Sequence, residues 1–220
     1  MKRLKKFKSS LIILAIQTIG TIVFWFVLPY ETKIPVHWGI SGKIDSYADK
    51  TEGLLLFLGI NILLFLLFYF MPKISPKYRK NKDRFKKVLP KFAPIIIFML
   101  AALHLFSLYM GLNPELSYSV NIIFVILGIS FILIGNLLPK LPSNFYMGIR
   151  TPWSLTSEEN WRKTSRFGGY AFITAGILFF IRALILSYSL VLNIIFFIII
   201  ILSSLSPIIY SFYLYTQEKK

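Results

Sequence analysis

Six long apolar runs, separated by shorter polar segments, constrain the fold of this chain more than any other feature of its sequence. Each run has 17 to 25 residues, and together they occupy residues 11–28, 53–71, 92–112, 120–138, 170–186 and 190–214. At 1.5 Å per residue, a helix of such length crosses the roughly 30 Å hydrocarbon core of a bilayer. Backbone polar groups in a bilayer must be satisfied within the spanning segment, and a helix satisfies them. The pattern therefore predicts an all-α polytopic membrane protein with six transmembrane helices.

The composition excludes a soluble globular domain. Hydrophobic residues make up 56% of the 220 residues and charged residues 15%, whereas charged residues approach about a quarter of a soluble domain. The chain contains no cysteine and two histidines, which excludes disulfides, thiolate metal sites and cysteine nucleophiles. We therefore expect no cofactor, no metal and no catalytic residue, and we do not expect an enzyme.

Basic residues lie on alternate sides of the apolar runs. The N-terminal tail, the second and fourth loops and the C-terminal tail carry 21 Lys and Arg residues, and the remaining loops carry 3. Because cytoplasmic loops are enriched in Lys and Arg, both termini are predicted to be cytoplasmic. This topology and attraction to anionic lipid explain the formal net charge of +16. We expect a bilayer as the partner of these charges and no direct nucleic-acid partner.

The loops suggest two parts within one membrane domain. Residues 1–90 hold two helices, a structured outer loop at 29–52 and a basic inner loop, and residues 91–220 hold four helices with an inner loop at 139–169. The short third and fifth loops place the third helix beside the fourth and the fifth beside the sixth as antiparallel neighbours.

Two polar residues inside the apolar runs are exceptional. His104 and Arg182 each follow the first residue of their run by twelve positions, so they are expected at similar depth, where ionisable residues often mark function. Alternatively, Arg182 extends its side chain towards the membrane surface or reaches Glu115. Milder polar residues are expected to form hydrogen bonds between helices, namely Asn61, Asn121, Ser130, Asn136 and Asn193.

The outer loop is rich in turn-forming residues, including Pro35, Gly39 and Gly42, and is expected to be compact and loop-like. His37 with two nearby aspartates, Asp45 and Asp49, is a weak pattern for a metal site. Aromatic rings at Trp38 and Tyr47 favour a position at the lipid headgroups. A recognition surface for an external peptide is the functional alternative.

The inner loop has the most distinctive sequence in the chain. Thr156 and Glu159 match a capping box, so a short helix is expected to begin there. Gly168 and Gly169 are expected to end or loosen this helix before the fifth apolar run. Its interleaved basic and aromatic residues are typical of an element lying on the inner leaflet. Neither lipid attraction nor periodicity explains the string at residues 148–153, Gly-Ile-Arg-Thr-Pro-Trp.

Both loops resemble the SdpI/YfhL family of bacterial immunity proteins. The outer-loop resemblance lies at Pro35, His37, Trp38, Gly42, Asp45 and Lys50. The inner resemblance lies at residues 135–136, 138–140, 144, 148–153, 158–161 and 163–164. Where the family usually has His after the last of these positions, this chain has Ser165, so a role that needs an imidazole there is lost or reassigned.

The resemblance implies a bacterial cell-membrane protein that gives resistance to a secreted, membrane-active toxic peptide of the Sdp type. It also implies a signalling role, in which a cytoplasmic ArsR-type autorepressor is held at the membrane once toxin is sensed. We expect the six outer-loop positions to face the toxin. We expect the cytoplasmic partner or its coupling to use Asn144, Gly148, Arg150, Thr151, Pro152, Trp153, Trp161, Thr164 and Arg166.

Three alternatives remain open from the residues. The protein could be a small membrane transporter that exports an antimicrobial peptide, with six helices forming half of a dimer. It could instead be a membrane stress sensor with another ligand. An enzyme acting on lipid headgroups through Arg150, Glu158 and Glu159 is the contrasting class, although no nucleophile with a paired base is present.

Overall fold

A computed structural model describes residues 3–74, 81–114, 119–185 and 189–218 of the chain. Within these residues it contains six long helices and one hairpin: α1 (Lys8–Val27), β1 (Lys33–Trp38), β2 (Ile44–Asp49), α2 (Lys50–Ile74), α3 (Lys82–Leu112), α4 (Ser119–Leu137), α5 (Glu158–Leu184) and α6 (Leu190–Glu218). Single 3-10 turns precede α1 and follow α4, at Leu4–Phe7 and Leu138–Lys140. All six helices are long and apolar enough to cross a membrane, which confirms the predicted helical membrane fold.

Helix α5 begins well before its apolar run, and its start differs from the predicted capping box. Ser157 is the N-cap residue, since its Oγ accepts a hydrogen bond from the Asn160 N–H at 3.0 Å. Thr156 instead donates its hydroxyl to the Trp153 carbonyl oxygen at 2.6 Å. The prediction of a short helix is wrong, because α5 continues through both glycines to Leu184. Packing against neighbouring helices outweighs the weak helix propensity of glycine here.

Reciprocal glycine contacts bring α4 and α5 close together. An added Cβ at Gly135 would lie 2.7 Å from the Gly169 carbonyl oxygen, and one at Gly169 would lie 2.9 Å from the Gly135 carbonyl oxygen. Gly128 and Gly176 form the same arrangement farther along, at 3.0 and 2.8 Å. Small residues at such positions let helix backbones approach closely in a membrane.

Two apolar clusters lie at opposite ends of the helices. One contains Phe7, Phe85 and Trp161, and therefore joins the N-terminal segment, the start of α3 and the start of α5. We call this the signature-loop end, after the loop at residues 141–157 that we call the signature loop. The other contains Ile34 and Leu108 beside the β-strands, and we call it the hairpin end.

The segment between α1 and α2, which the sequence predicts to be compact and loop-like, contains a two-stranded antiparallel hairpin. The register pairs Lys33 with Asp49 and Trp38 with Ile44, with irregular pairing on both sides of His37. Gly42 forms the tip with φ of 80°, a left-handed conformation that glycine adopts without a Cβ penalty. Because Pro35 and the irregular register weaken the strand pattern, the sequence alone does not reveal the pairing.

Candidate functional site

The first strand of the hairpin anchors it to helices α2 and α3. Ile34 is completely buried and lies against α2, where an added Cβ at Gly53 would be 2.8 Å from the Ile34 side chain. The Ser107 hydroxyl of α3 donates a hydrogen bond to the Pro35 carbonyl oxygen. Trp38 stacks on Phe106 with ring centroids 6.5 Å apart. These contacts fix the hairpin on α2 and α3.

One hydrogen bond between a histidine and a carboxylate and one ion pair lie on the exposed surface of the hairpin. His37 Nδ1 lies 2.5 Å from Asp45 Oδ1, and Lys33 pairs with Asp49. The hydrogen bond that the Lys33 amine donates to the Asp49 carboxylate raises the pKa of this amine above its ordinary value. Because Asp49 pairs with Lys33 rather than with His37, the predicted trio does not converge. Within the described part of the chain, no group of three metal-ligating side chains comes together.

The Lys50 side chain is partly buried and makes contacts within the protein. Its amine donates to the Leu28 carbonyl oxygen at 2.6 Å and lies 5.8 Å from the ring centroid of Trp25. It therefore joins the end of α1 to the start of α2. Lys50 and Pro35 hold the hairpin in place, whereas His37, Gly42 and Asp45 lie towards its tip.

A cavity of about 390 Å³ lies between the hairpin tip and helices α4, α5 and α6. His37 and Trp38 line it from the hairpin, and Arg182 and Asn193 supply polar groups from the helices. The remaining helix positions that line it are apolar, namely Ile123, Phe124, Leu127, Phe179, Phe196, Phe197 and Ile200. A mostly apolar cavity with a few convergent polar groups is typical of a ligand site.

Arg182 is buried at the wall of this cavity, so the prediction that it extends to the membrane surface is wrong. Only 1% of the residue is exposed. Its Nε donates to Asn193 Oδ1 and its Nη1 donates to the Ile185 carbonyl oxygen, both at 2.7 Å. The guanidinium also lies 5.3 Å from the Phe124 ring centroid. Glu115, the other predicted partner, lies outside the described residues.

His104 belongs to a separate buried network that links α1, α2 and α3. The Ile97 carbonyl oxygen can only accept, so the Asn61 amide nitrogen, 3.0 Å away, donates to it and also donates to Gln17 Oε1 at 2.8 Å. The Gln17 amide nitrogen therefore donates to His104 Nδ1 at 3.0 Å. His104 Nε2 then donates to the Gly53 carbonyl oxygen at 3.0 Å. This order of donors assigns His104 as the neutral Nε2–H tautomer.

The signature loop, residues 141–157, is held by side-chain bonds to its own backbone. Asn144 is fully buried, and its Oδ1 accepts from the N–H groups of Tyr146 and Met147 at 2.8 and 2.7 Å. Gly148 has φ of 89°, and an added Cβ would lie 3.3 Å from the Trp161 ring. The Trp161 indole donates to the Leu141 carbonyl oxygen at 2.8 Å.

A second set of hydrogen bonds attaches this loop to α5 and α6. Thr151 and Ser154 bond reciprocally, each hydroxyl accepting from the other residue's N–H, at 3.0 and 2.9 Å. Thr151 Oγ1 also lies 2.8 Å from Ser211 Oγ on α6. Asn160 donates to the Ser211 carbonyl oxygen at 3.1 Å and accepts from the Thr164 hydroxyl at 3.0 Å. These bonds attach the loop to both helices.

The remaining positions of the predicted partner site are exposed or partly exposed. Arg150 and Pro152 are exposed on the loop, and Arg166 is exposed on α5. The Arg150 guanidinium donates to the Phe145 carbonyl oxygen at 2.6 Å, and Trp153 packs edge-on against Phe212 at 4.9 Å. Ser165, in contrast, is buried and its hydroxyl has no hydrogen-bond partner among the described residues.

Sequence reasoning missed several residues of these networks. Gln17, Ser154, Asn160 and Ser211 received no predicted role, although each contributes to a buried hydrogen bond. The sequence does contain a signal for Gln17, because its amide lies within an apolar run and an amide buried in a membrane requires a hydrogen-bond partner. Of the predicted interhelical bonds, those of Asn61 and Asn193 are confirmed.

The fold and these two sites define a multi-pass helical membrane protein with a ligand-sized cavity at one end and a structured loop at the other. A model of the SdpI/YfhL protein family matches residues 140–211, and a model of a domain of unknown function, DUF1648, matches residues 12–62. The chain is 27% identical over 178 residues to the immunity protein SdpI of Bacillus subtilis (strain 168), covering 80% of each chain. These matches confirm the resemblance to the SdpI/YfhL family. No solved structure matches the chain.

Proposed function

We propose that this protein is an integral membrane immunity protein that protects a bacterial cell against a secreted, membrane-active toxic peptide of the Sdp type. The similarity to an immunity protein supports the class of function. The observation that carries the proposal is the cavity at the hairpin end, where His37 and Trp38 meet the apolar walls of α4, α5 and α6. With both termini cytoplasmic, as the charge distribution predicts, this cavity opens on the side from which a secreted peptide arrives.

The cavity has the chemistry needed to retain a membrane-active peptide. Apolar side chains of such a peptide gain about 25 cal/mol for each Å² that they remove from water. His37, which lines the cavity, and its exposed partner Asp45 offer hydrogen bonds to polar groups of the same peptide. Binding here withdraws the peptide from the bilayer that it damages, so no bond needs to be broken and no catalytic group is required.

Filling the cavity tests this function. In a sensitive Gram-positive strain challenged with purified Sdp-type peptide, Leu127→Trp should abolish protection, because the indole occupies the space between α4 and the hairpin. Leu133→Trp is the matched control, since Leu133 lies on the same helix, is 40% exposed and does not line the cavity. Equal protection by both variants at equal membrane abundance would reject the cavity as the site. Loss of wild-type protection when a protonophore removes the membrane potential would favour a transporter.

We also propose that the signature loop couples peptide binding to a cytoplasmic ArsR-type repressor. Arg182 and Asn193 join α5 to α6 beside the cavity, and Asn160 and Ser211 join the same helices beside the loop. A peptide that binds two arrangements of this helix pair with different affinity would thus change the loop. The exposed Arg150 is the position best placed to contact a soluble protein.

Substitution of Arg150 tests the coupling. Arg150→Ala should leave membrane abundance unchanged and reduce protection, because the exposed guanidinium is lost while the buried loop bonds remain. Lys140→Ala removes an exposed charge from the same end of the helices and serves as the control. Full protection by Arg150→Ala would show that immunity needs no contribution from this side chain.

A further inference from the structure

A second cavity lies at the signature-loop end, far from the hairpin, and its rim is basic. It has a volume of about 420 Å³ and lies between the N-terminal segment, the end of α2 and the start of α3. Five cationic side chains line it, namely Arg3, Lys6, Lys73, Lys82 and Lys86. They come from three separate elements, so their convergence is a property of the fold and not of one solvated helix face.

The floor of this cavity is apolar. Phe7, Phe85 and Leu89 line it and are 3%, 0% and 2% exposed. Prolines at Pro72 and Pro90 complete the apolar lining. A cavity that combines cations at its rim with aromatic and aliphatic groups at its floor matches an amphiphile with an anionic head better than a small, fully hydrated ion.

The cations are partly held in place. The Arg3 guanidinium lies 4.8 Å from the Tyr69 ring centroid and donates to the Tyr69 carbonyl oxygen. Lys86 pairs at 3.3 Å with Asp83, which is largely exposed and does not line the cavity. Lys82 is the first residue of α3, so the positive end of that helix dipole also faces this region.

We propose that this cavity binds the phosphodiester group of one anionic phospholipid, with an acyl chain against Phe7 and Leu89. The lysines and arginine meet the phosphate oxygens through charge-assisted hydrogen bonds, which are among the stronger ones in proteins. Basic cavities between membrane helices on the cytoplasmic side recognise anionic headgroups in this way. The bound lipid would join the N-terminal segment to α2 and α3, independently of any toxic peptide.

Lipid titration tests the site. Full-length protein in neutral detergent is titrated with dioleoyl phosphatidylglycerol or with dioleoyl phosphatidylcholine, and bound lipid is counted by native mass spectrometry. The wild type should retain one phosphatidylglycerol molecule in preference to phosphatidylcholine. A triple variant that removes three of the five rim cations, Lys6→Gln, Lys82→Gln and Lys86→Gln, should bind phosphatidylglycerol at least about tenfold more weakly than a control triple variant.

The control variant loses the same charge at the same end of the helices, through Lys87→Gln, Lys91→Gln and Lys140→Gln. These three lysines are exposed and do not line the cavity. Equal binding by the two triple variants, or equal wild-type binding of both lipids, would overturn the proposal. Displacement of the lipid by inorganic phosphate would overturn the lipid as ligand and indicate a free phosphate site. If the rim triple variant does not elute as folded protein, the single variants Lys82→Gln and Lys91→Gln are compared instead. The same difference in phosphatidylglycerol binding is expected between them, and equal binding would overturn the proposal.

Discussion

Replacing Gly135 with alanine is expected to weaken the packing of α4 against α5. The new Cβ would lie 2.7 Å from the Gly169 carbonyl oxygen and 2.9 Å from Ile173 Cγ1. Ordinary contact begins near 3.4 Å, so the two helices would have to separate by about 0.7 Å. The atom that blocks the methyl group is backbone, which cannot rotate away as a side chain would.

The size of the effect follows from two opposing contributions. Overpacking a close contact costs about 1 to 3 kcal/mol, whereas replacing glycine by alanine within a helix returns about 0.5 to 1 kcal/mol. The net loss in the free energy of unfolding is then between about 0 and 2.5 kcal/mol, with a midpoint of about 1 kcal/mol. Gly59→Ala provides the control, because a Cβ at Gly59 meets nothing within 4 Å. This control should be neutral or stabilised by up to about 1 kcal/mol.

Both variants can be compared by unfolding in mixed micelles, with helix content measured by circular dichroism as denaturing detergent is added. A second measurement uses disulfide cross-linking between cysteines introduced on α4 and α5, since the chain has no native cysteine. Gly135→Ala should unfold at a lower detergent fraction and cross-link more slowly. If Gly135→Ala is as stable as Gly59→Ala, the close approach of the two backbones is wrong.

Three further predictions concern single contacts. Trp161→Phe removes the indole donor from the buried Leu141 carbonyl oxygen and should cost about 1 to 3 kcal/mol in the same unfolding assay. Asn193→Leu removes the acceptor of two guanidinium N–H groups and should cost about 2 to 3 kcal/mol. The Lys33 ion pair stabilises the hairpin below the ordinary lysine pKa of 10.5 and is lost as the pH rises through the raised pKa. The Cε chemical shift of Lys33 should therefore titrate above 10.5, and at lower pH in Asp49→Asn.

A specific result would contradict each of these predictions. Trp153→Phe keeps the edge-on ring contact and is the control for Trp161→Phe, so equal stability of the two variants would refute the indole bond. Asn136→Leu is the control for Asn193→Leu, because Asn136 is exposed and bonds within its own helix. An unchanged Lys33 titration in Asp49→Asn would show that the carboxylate does not hold the amine.

The number and approximate positions of the helices could be predicted because they depend on local composition. An apolar run of sufficient length specifies a spanning helix without knowledge of its neighbours. The starts of α3 and α5 could not be predicted as well, since both helices continue into charged and aromatic sequence beyond the apolar run. At α5, the N-cap lies one residue after the predicted one, a difference that local sequence does not resolve.

The candidate sites depend on contacts between distant residues and were less predictable. The role of Arg182 is set by Asn193 on the next helix, and the position of His104 by Gln17 on α1. The motif residues of the two loops were found by their resemblance to a family, but only the structure separates buried supports such as Asn144 from exposed positions such as Arg150. The orientation of the protein in the membrane stays a prediction from the distribution of Lys and Arg.

Direct binding of the peptide tests the central claim most closely. Fluorescently labelled Sdp-type peptide is titrated onto full-length protein in lipid nanodiscs, and empty nanodiscs measure the partition into lipid. We predict saturable binding of the peptide to the wild type and to Leu133→Trp. We predict binding at least about tenfold weaker to Leu127→Trp, because the peptide loses its contact with the apolar walls of the cavity. Absence of saturable binding to the wild type, or equal binding to all three proteins, would contradict a toxin site at the hairpin end.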